Sequence, residues 1–171
     1  MRIGGGAVSI ADVTNRAARD LGFVRPFWLN EIRAARAFAR SVALAASVGD
    51  FGHIQLFNPG GSGITIIVHK IYPATNNQQE FVIQTHNTAL TTLVGTGINL
   101  LSGGAAGIGE LRTENILSIT GTQLYRGRIL GSTLIALPLE WFMELGAGEG
   151  VLFTTTGSNE AHVDTFEWIE L

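Results

Sequence analysis

Glycine punctuates this chain at short intervals, and the runs between are rich in β-branched and aromatic residues. Such spacing leaves little room for long helices and favours many short strands joined by turns. The clearest run is Ile64 to Tyr72, β-branched almost throughout and stopped by Pro73. Upstream, Phe38, Arg40, Val42, Leu44, Ala46 and Val48 alternate with Ala39, Ser41, Ala43, Ala45 and Ser47. Large and small residues at period two describe a strand with one packed face. Gly49-Asp50 predicts a turn and Phe51 to Phe57 a partner strand, the two forming a hairpin. Asn58-Pro59-Gly60-Gly61-Ser62-Gly63 predicts a loop. Further strands are expected at 80–86, 111–120, 123–130, 139–145, 151–156 and 161–169, with a Thr-rich stretch at 90–94 and a long mobile loop from Gly95 to Gly109. The expected class is all-β, a β-sandwich or jelly roll of about eight to ten short strands. It occupies residues 38–171 and follows an extended or partly helical N-terminal arm, residues 1–37.

The arm opens on Gly4-Gly5-Gly6. Ile10, Val13, Ala17 and Leu21 then fall at helical spacing behind Ser9, a residue suited to an N-cap. Gly22 ends that segment and Arg25-Pro26 favours an extended step. Phe27, Trp28, Leu29 and Ile32 are large anchors with no clear period.

Charge divides the chain along the same line. The net −3 conceals seven arginines against three carboxylates in the first 40 residues, +4, and four basic against eleven acidic groups beyond them, −7. The pattern is that of a basic arm on an acidic body. The arginines are interleaved with alanine and lack the lysines of a phosphate-tracking stripe, so no nucleic-acid partner is expected. Arginine suits planar, partly desolvated protein contacts. Arg16, Arg19, Arg25, Phe27, Trp28, Arg33 and Arg36 are therefore the candidate partner-binding residues.

Chemistry is sparse. The absence of cysteine excludes a disulfide scaffold and a Cys-ligated zinc site. No apolar block has the length of a membrane span, and the glycine-rich start lacks a signal core, so neither is expected. Gly95-Thr96-Gly97 and Gly107-Ile108-Gly109 each lack the third glycine of a dinucleotide fingerprint. Lys70 sits mid-strand without the glycine of a phosphate loop, and Ser62 has Ile64 where a hydrolase elbow needs glycine. His53, His69 and His86 fall on successive strands, where a sheet could gather them around a metal. The His-x-His pair and following Glu of cupins are missing, however, since Lys70 and Ile71 follow His69. These three, with His162, are expected to be ordinary sheet residues. Glu140 and Glu144 flank Trp141, and Glu167 and Glu170 flank Trp168, as acids beside sugar-stacking rings would. Alternation instead puts Phe166 and Trp168 on one face and Glu167 on the other, with rings inward and acids toward water. No catalytic, cofactor-binding or metal-binding residue is expected.

One set of local phrases carries a likeness. Gly52-His53-Ile54-Gln55-Leu56-Phe57-Asn58-Pro59-Gly60-Gly61-Ser62-Gly63, leading into a β-branched strand, resembles a hairpin of tailed-phage virion structural proteins. Gly148-Glu149-Gly150-Val151-Leu152, the final strand to Trp168-Ile169-Glu170, and Arg36-Ala37-Phe38-Ala39 are similar to the same proteins. The likeness covers about half the chain and departs in the Gly95–Gly109 segment and the arginine-rich arm. It implies a non-enzymatic capsid decoration (cement) protein: a β-rich homotrimer on the capsid exterior, made in the host cytoplasm and bound to the major capsid protein lattice. Nucleic acid and membrane are not implied as partners, nor is any cofactor. A tail or fibre component, a receptor- or carbohydrate-binding β domain and a cupin-like metalloenzyme are the competing readings.

Overall fold

The computed structural model describes residues 27–118, 121–131, 136–138 and 143–171. Among these residues one helix, α1 (Phe27–Arg33), precedes twelve strands. The first four are β1 (Ala37–Leu44), β2 (Phe51–Phe57), β3 (Ile66–Thr75) and β4 (Gln79–Thr85). Next come β5 (Thr92–Thr96), β6 (Ile98–Asn99), β7 (Glu110–Ile116) and β8 (Thr122–Ile129). β9 (Leu137–Pro138), β10 (Glu144–Leu145), β11 (Gly150–Thr155) and β12 (His162–Glu170) complete the chain. The all-β expectation holds.

The strands form two antiparallel sheets. In the first, β10 and β9 flank the same strand, β3, and the order continues β3-β12-β1-β6. In the second the order is β5-β7-β2-β11-β4-β8. Without β5 to β7, the pairing is nested: β1 with β12, β2 with β11, β3 with β9 and β10, β4 with β8. That nesting is the jelly-roll arrangement. β5 to β7 are an insertion between the fourth strand and the fifth. They close one flank of the sandwich, β6 extending the first sheet beyond β1 while β7 and β5 extend the second beyond β2.

Ile54, Leu56, Phe81, Ile83, Val151 and Phe153 line the inner face of the second sheet. They pack against Phe38, Val42, Ile66, Val68, Ile71, Phe166 and Trp168 of the first. The alternation over β1 and β12 therefore points the residues inward that period two predicted. Glu167 faces outward and accepts a hydrogen bond from the Tyr72 hydroxyl at 3.2 Å, while Trp168 is fully buried.

Three expectations are corrected. β1 and β2 are not a hairpin: the connection through Gly49 crosses from one sheet to the other, because a jelly roll pairs its first strand with its last. β3 does not stop at Pro73 but runs to Thr75. Pro73 pairs with Asp164 of β12, and β9 pairs only as far as Ile71, so a missing N–H is tolerated on the open side. The glycine-rich segment 95–109 is not a free loop but includes β6 and packs on the core. The 9–21 helix expectation lies outside the described residues, as does most of the 139–145 strand.

Candidate interaction surface

The anchors without a period form α1. Its last turn carries Arg33 against the negative helix end. It ends in a left-handed residue, Ala35 (φ 57°), with Arg36 N–H donating to the Glu31 carbonyl at 2.9 Å and Ala35 N–H to Ile32 at 3.0 Å. That is a Schellman closure with alanine where glycine is usual. The helix lies on the outer face of the first sheet. Trp28 stacks flat on His69, ring centroids 4.0 Å apart and 7° between planes. Ile169, outward by alternation, is nevertheless buried. Glu31, also buried, takes the Arg36 Nε at 2.8 Å.

Of the arm residues singled out from sequence, Trp28 thus stacks on the body, Arg36 pairs with Glu31 of α1, Arg33 is exposed, and Phe27 begins α1. Arg16, Arg19 and Arg25 lie outside the described residues. Arg40, the last arginine of the basic stretch, points into the sandwich edge. Its guanidinium donates to the Thr96 carbonyl at 2.7 Å and the Val94 carbonyl at 3.1 Å, pinning the insertion.

Sequence reasoning missed the anchor of that insertion, Glu170. Expected to face water, its carboxylate is buried and accepts from Ile108 N–H at 2.9 Å, Gly109 N–H at 2.8 Å and Trp168 Nε1 at 2.9 Å. The signal was available: Glu170 shares the parity of Phe166 and Trp168, the inward face. The glycines exist for this contact. A Cβ on Gly97 would stand 2.4 Å from Trp168 Cζ2, and one on Gly107 2.7 Å from Glu170 Oε1. Asn99 completes the attachment by donating to the Ala35 carbonyl at 2.8 Å, beside the end of α1.

The outward side of the insertion is apolar. Leu93, Ile98, Leu100, Leu101 and Ile108 are all exposed, Ile98 at 62%, and Leu29 of α1 is also exposed. A concavity of about 440 Å³ opens here between Arg40, Thr96, Asn99, Leu101 and Ser102. The exposed apolar side chains of the insertion and the concavity make this flank the candidate interaction surface, since exposed apolar patches mark interaction sites.

The residues screened for chemistry do not converge. His69 lies under Trp28 on the first sheet, whereas His53 is buried on β2 of the second, its Nδ1 bonded to the Phe51 carbonyl at 2.9 Å. Burial is the main force holding the His53 pKa below its ordinary 6.5. His162 and Asp164 form a wholly buried pair at 3.0 Å between the sheets. Burial raises the Asp164 pKa from 3.8 against the pull of His162. Among the described residues no group of three potential ligands is placed to hold a metal, and no helix is long and apolar enough to cross a membrane. Tyr125 is the one exposed large aromatic among them. Compared with known proteins, the chain matches no protein family, no curated protein and no solved structure.

Proposed function

We propose that the chain is a non-enzymatic structural component of a tailed-phage virion. In this reading it is a decoration protein that seats as a homotrimer on the major capsid protein lattice and stabilises the head. The jelly-roll order suits a shell component, but it also serves lectins and cupins, so the fold alone does not choose.

One observation carries the reading. Two of the segments that resemble virion proteins, 52–63 and 148–152, are a single unit in space. β2 and β11 pair from Phe57 opposite Gly150. Asn58 N–H donates to the Glu149 carbonyl at 2.9 Å, and the Asn58 carbonyl accepts from Gly148 at 2.8 Å. Its buried side-chain amide donates to Ile64 at 2.9 Å and Leu145 at 3.0 Å. A likeness scattered over sequence thus corresponds to one clamp that fixes loop 58–65 beside turn 146–149. The exposed insertion and α1 supply an apolar contact face, and the basic arm ahead of α1 supplies the charge that an acidic neighbour would meet.

The test is co-sedimentation of the full chain with empty phage heads, compared with Arg16→Glu, Arg19→Glu, Arg25→Glu in combination. The native chain should pellet with heads and the charge-reversed chain should stay in the supernatant. Equal binding by both would remove the arm from the contact, and density for the chain on a tail instead of the shell would overturn the decoration reading.

A further inference from the structure

Arg36, Arg112 and Arg126 each meet a carboxylate, that of Glu31 at 2.8 Å, Glu110 at 2.6 Å and Glu80 at 2.7 Å. Arg40 meets none within 4 Å among the described residues. It has the inward parity of Phe38 and Val42 on β1, so its half-buried guanidinium stands between the sheets at the flank. Only neutral groups hold it there, the carbonyls of Thr96 and Val94. Nε is buried and has no partner. Gly95 lets the group lie against the backbone, since a Cβ there would stand 2.5 Å from Arg40 Cζ. Carbonyl bonds fix the direction of the fork but leave its positive charge uncancelled. A charge drawn out of water calls for a counter-charge.

The same guanidinium forms part of the wall of the concavity of about 440 Å³. That volume lies within the range of ligand pockets. No Asp or Glu lines it. Asn99 is already spent on Ala35, Ala105 and Leu101 and serves as a fixed wall. The turn at 101–104 is closed by Gly104 N–H on the Leu101 carbonyl at 2.9 Å. It leaves the N–H groups of Ser102 and Gly103 without a bond among the described residues. The wall is therefore rich in donors and positive, and it suits an anion. One arginine with no second cation beside it matches a monoanion, a carboxylate, better than a phosphate dianion.

We propose that the concavity takes the carboxylate of an Asp or Glu side chain carried by a partner polypeptide between apolar residues. The apolar neighbours follow from the surroundings: Ile98 and Leu101 line the cavity and are exposed, as are Leu100 and Ile108 of the same insertion. A small free carboxylate would leave those side chains in water, whereas a flanked acidic residue covers them. The site goes beyond the virion reading and does not rest on it, since the ligand chemistry is the same on any partner.

The full chain, isotope-labelled for amide NMR, is titrated with acetyl-Ser-Leu-Glu-Leu-Ser-amide and with its Gln counterpart. The Glu peptide should bind ~10-fold more tightly, the worth of one charge-assisted bond, and should shift the amides of Ser102 and Gly103. Arg40→Gln should remove the preference. Because Arg40 also pins the insertion, a second variant leaves it in place. Ser102→Asp, on an exposed residue of the wall, sets a competing carboxylate in the cavity. It should bring the Glu peptide down to the affinity of the Gln peptide, with the amide spectrum of the body retained. Equal affinity of the native chain for both peptides, shifts that avoid residues 96–104, or a preference that survives Ser102→Asp would overturn the proposal. Octanoate binding as tightly as the Glu peptide would overturn the polypeptide as its ligand.

Discussion

The Glu170 carboxylate accepts the backbone N–H of Gly109 at 2.8 Å, tying the final strand to the insertion across the sandwich edge. The same carboxylate holds Ile108 and Trp168. Charge-assisted bonds of this kind are shorter and stronger than neutral ones, and removing a buried acceptor strands its donors. Glu170→Ala should cost about 3 kcal/mol in urea unfolding. Amide exchange at Ile108 and Gly109 should rise above the global rate. Unchanged protection at those two amides would show that the insertion is held elsewhere.

Glycine substitutions should separate packed positions from open ones. Gly97→Ala forces a methyl against Trp168 and should cost about 2–3 kcal/mol, an overpacking penalty. Gly60, with nothing within 4 Å of a Cβ and no left-handed backbone, should accept alanine with a change under about 0.5 kcal/mol. Equal melting points for the two variants would contradict the packed insertion.

Much of this was legible beforehand. Period two over 38–48 and 161–169 gave the inward faces of β1 and β12, because a strand's alternation needs no knowledge of its partner. Strand partners were not legible, and the hairpin assigned to β1 and β2 failed for that reason. Turn chemistry at Gly49-Asp50 says that the chain reverses, not which sheet it enters. The insertion was hidden by composition. Gly95 to Gly109 reads as loop from local propensity, and only the Trp168 ring against Gly97 and the Phe38 ring against Gly107 explain why side chains are absent there. For the candidate surface, the contacts that Trp28 and Arg36 make lie within the chain, with His69 and Glu31.

Ala35 offers a stabilising change. Its φ of 57° places an alanine in left-handed backbone, where a Cβ costs about 1–2 kcal/mol. Ala35→Gly removes that strain and gives part of it back through the freer unfolded chain, for a net gain of about 0.5–1 kcal/mol. Thermal melting should register an upward shift. A lower melting point would mean that the alanine methyl has a packing role.

Two buried groups give the pH dependence opposite slopes. The His53 pKa is depressed, so its contribution is present above pH 6.5 and is lost as pH falls through the folded value. The Asp164 pKa is raised, so its contribution is present below 3.8 and is lost as pH rises through the folded value. A tenfold difference in proton affinity between the folded and unfolded chain is worth about 1.4 kcal/mol. Urea midpoints measured across the acid range should show His53→Gln removing the loss below 6.5. Asp164→Asn should remove the decline on the rising side of 3.8. A His53→Gln profile parallel to that of the native chain would rule out the imidazole as the source.

The nested pairing of first strand with last gives the body two unlike ends. Ala37 sits opposite Ile169, and Leu171 exchanges hydrogen bonds with Thr65. Residues 37 and 171 therefore lie at the end that also holds the Asn58 clamp. The turns at Ser47–Asp50, Asn76–Gln78 and Gly157–Asn159 gather at the other, where Asn159 N–H reaches the Asp50 carbonyl at 3.1 Å. Strands of this length separate the two ends by roughly 25 Å. A guest peptide spliced between Ser158 and Asn159 would ride on the pole opposite Ala37 and Leu171, so the body is a ready-made pedestal for display.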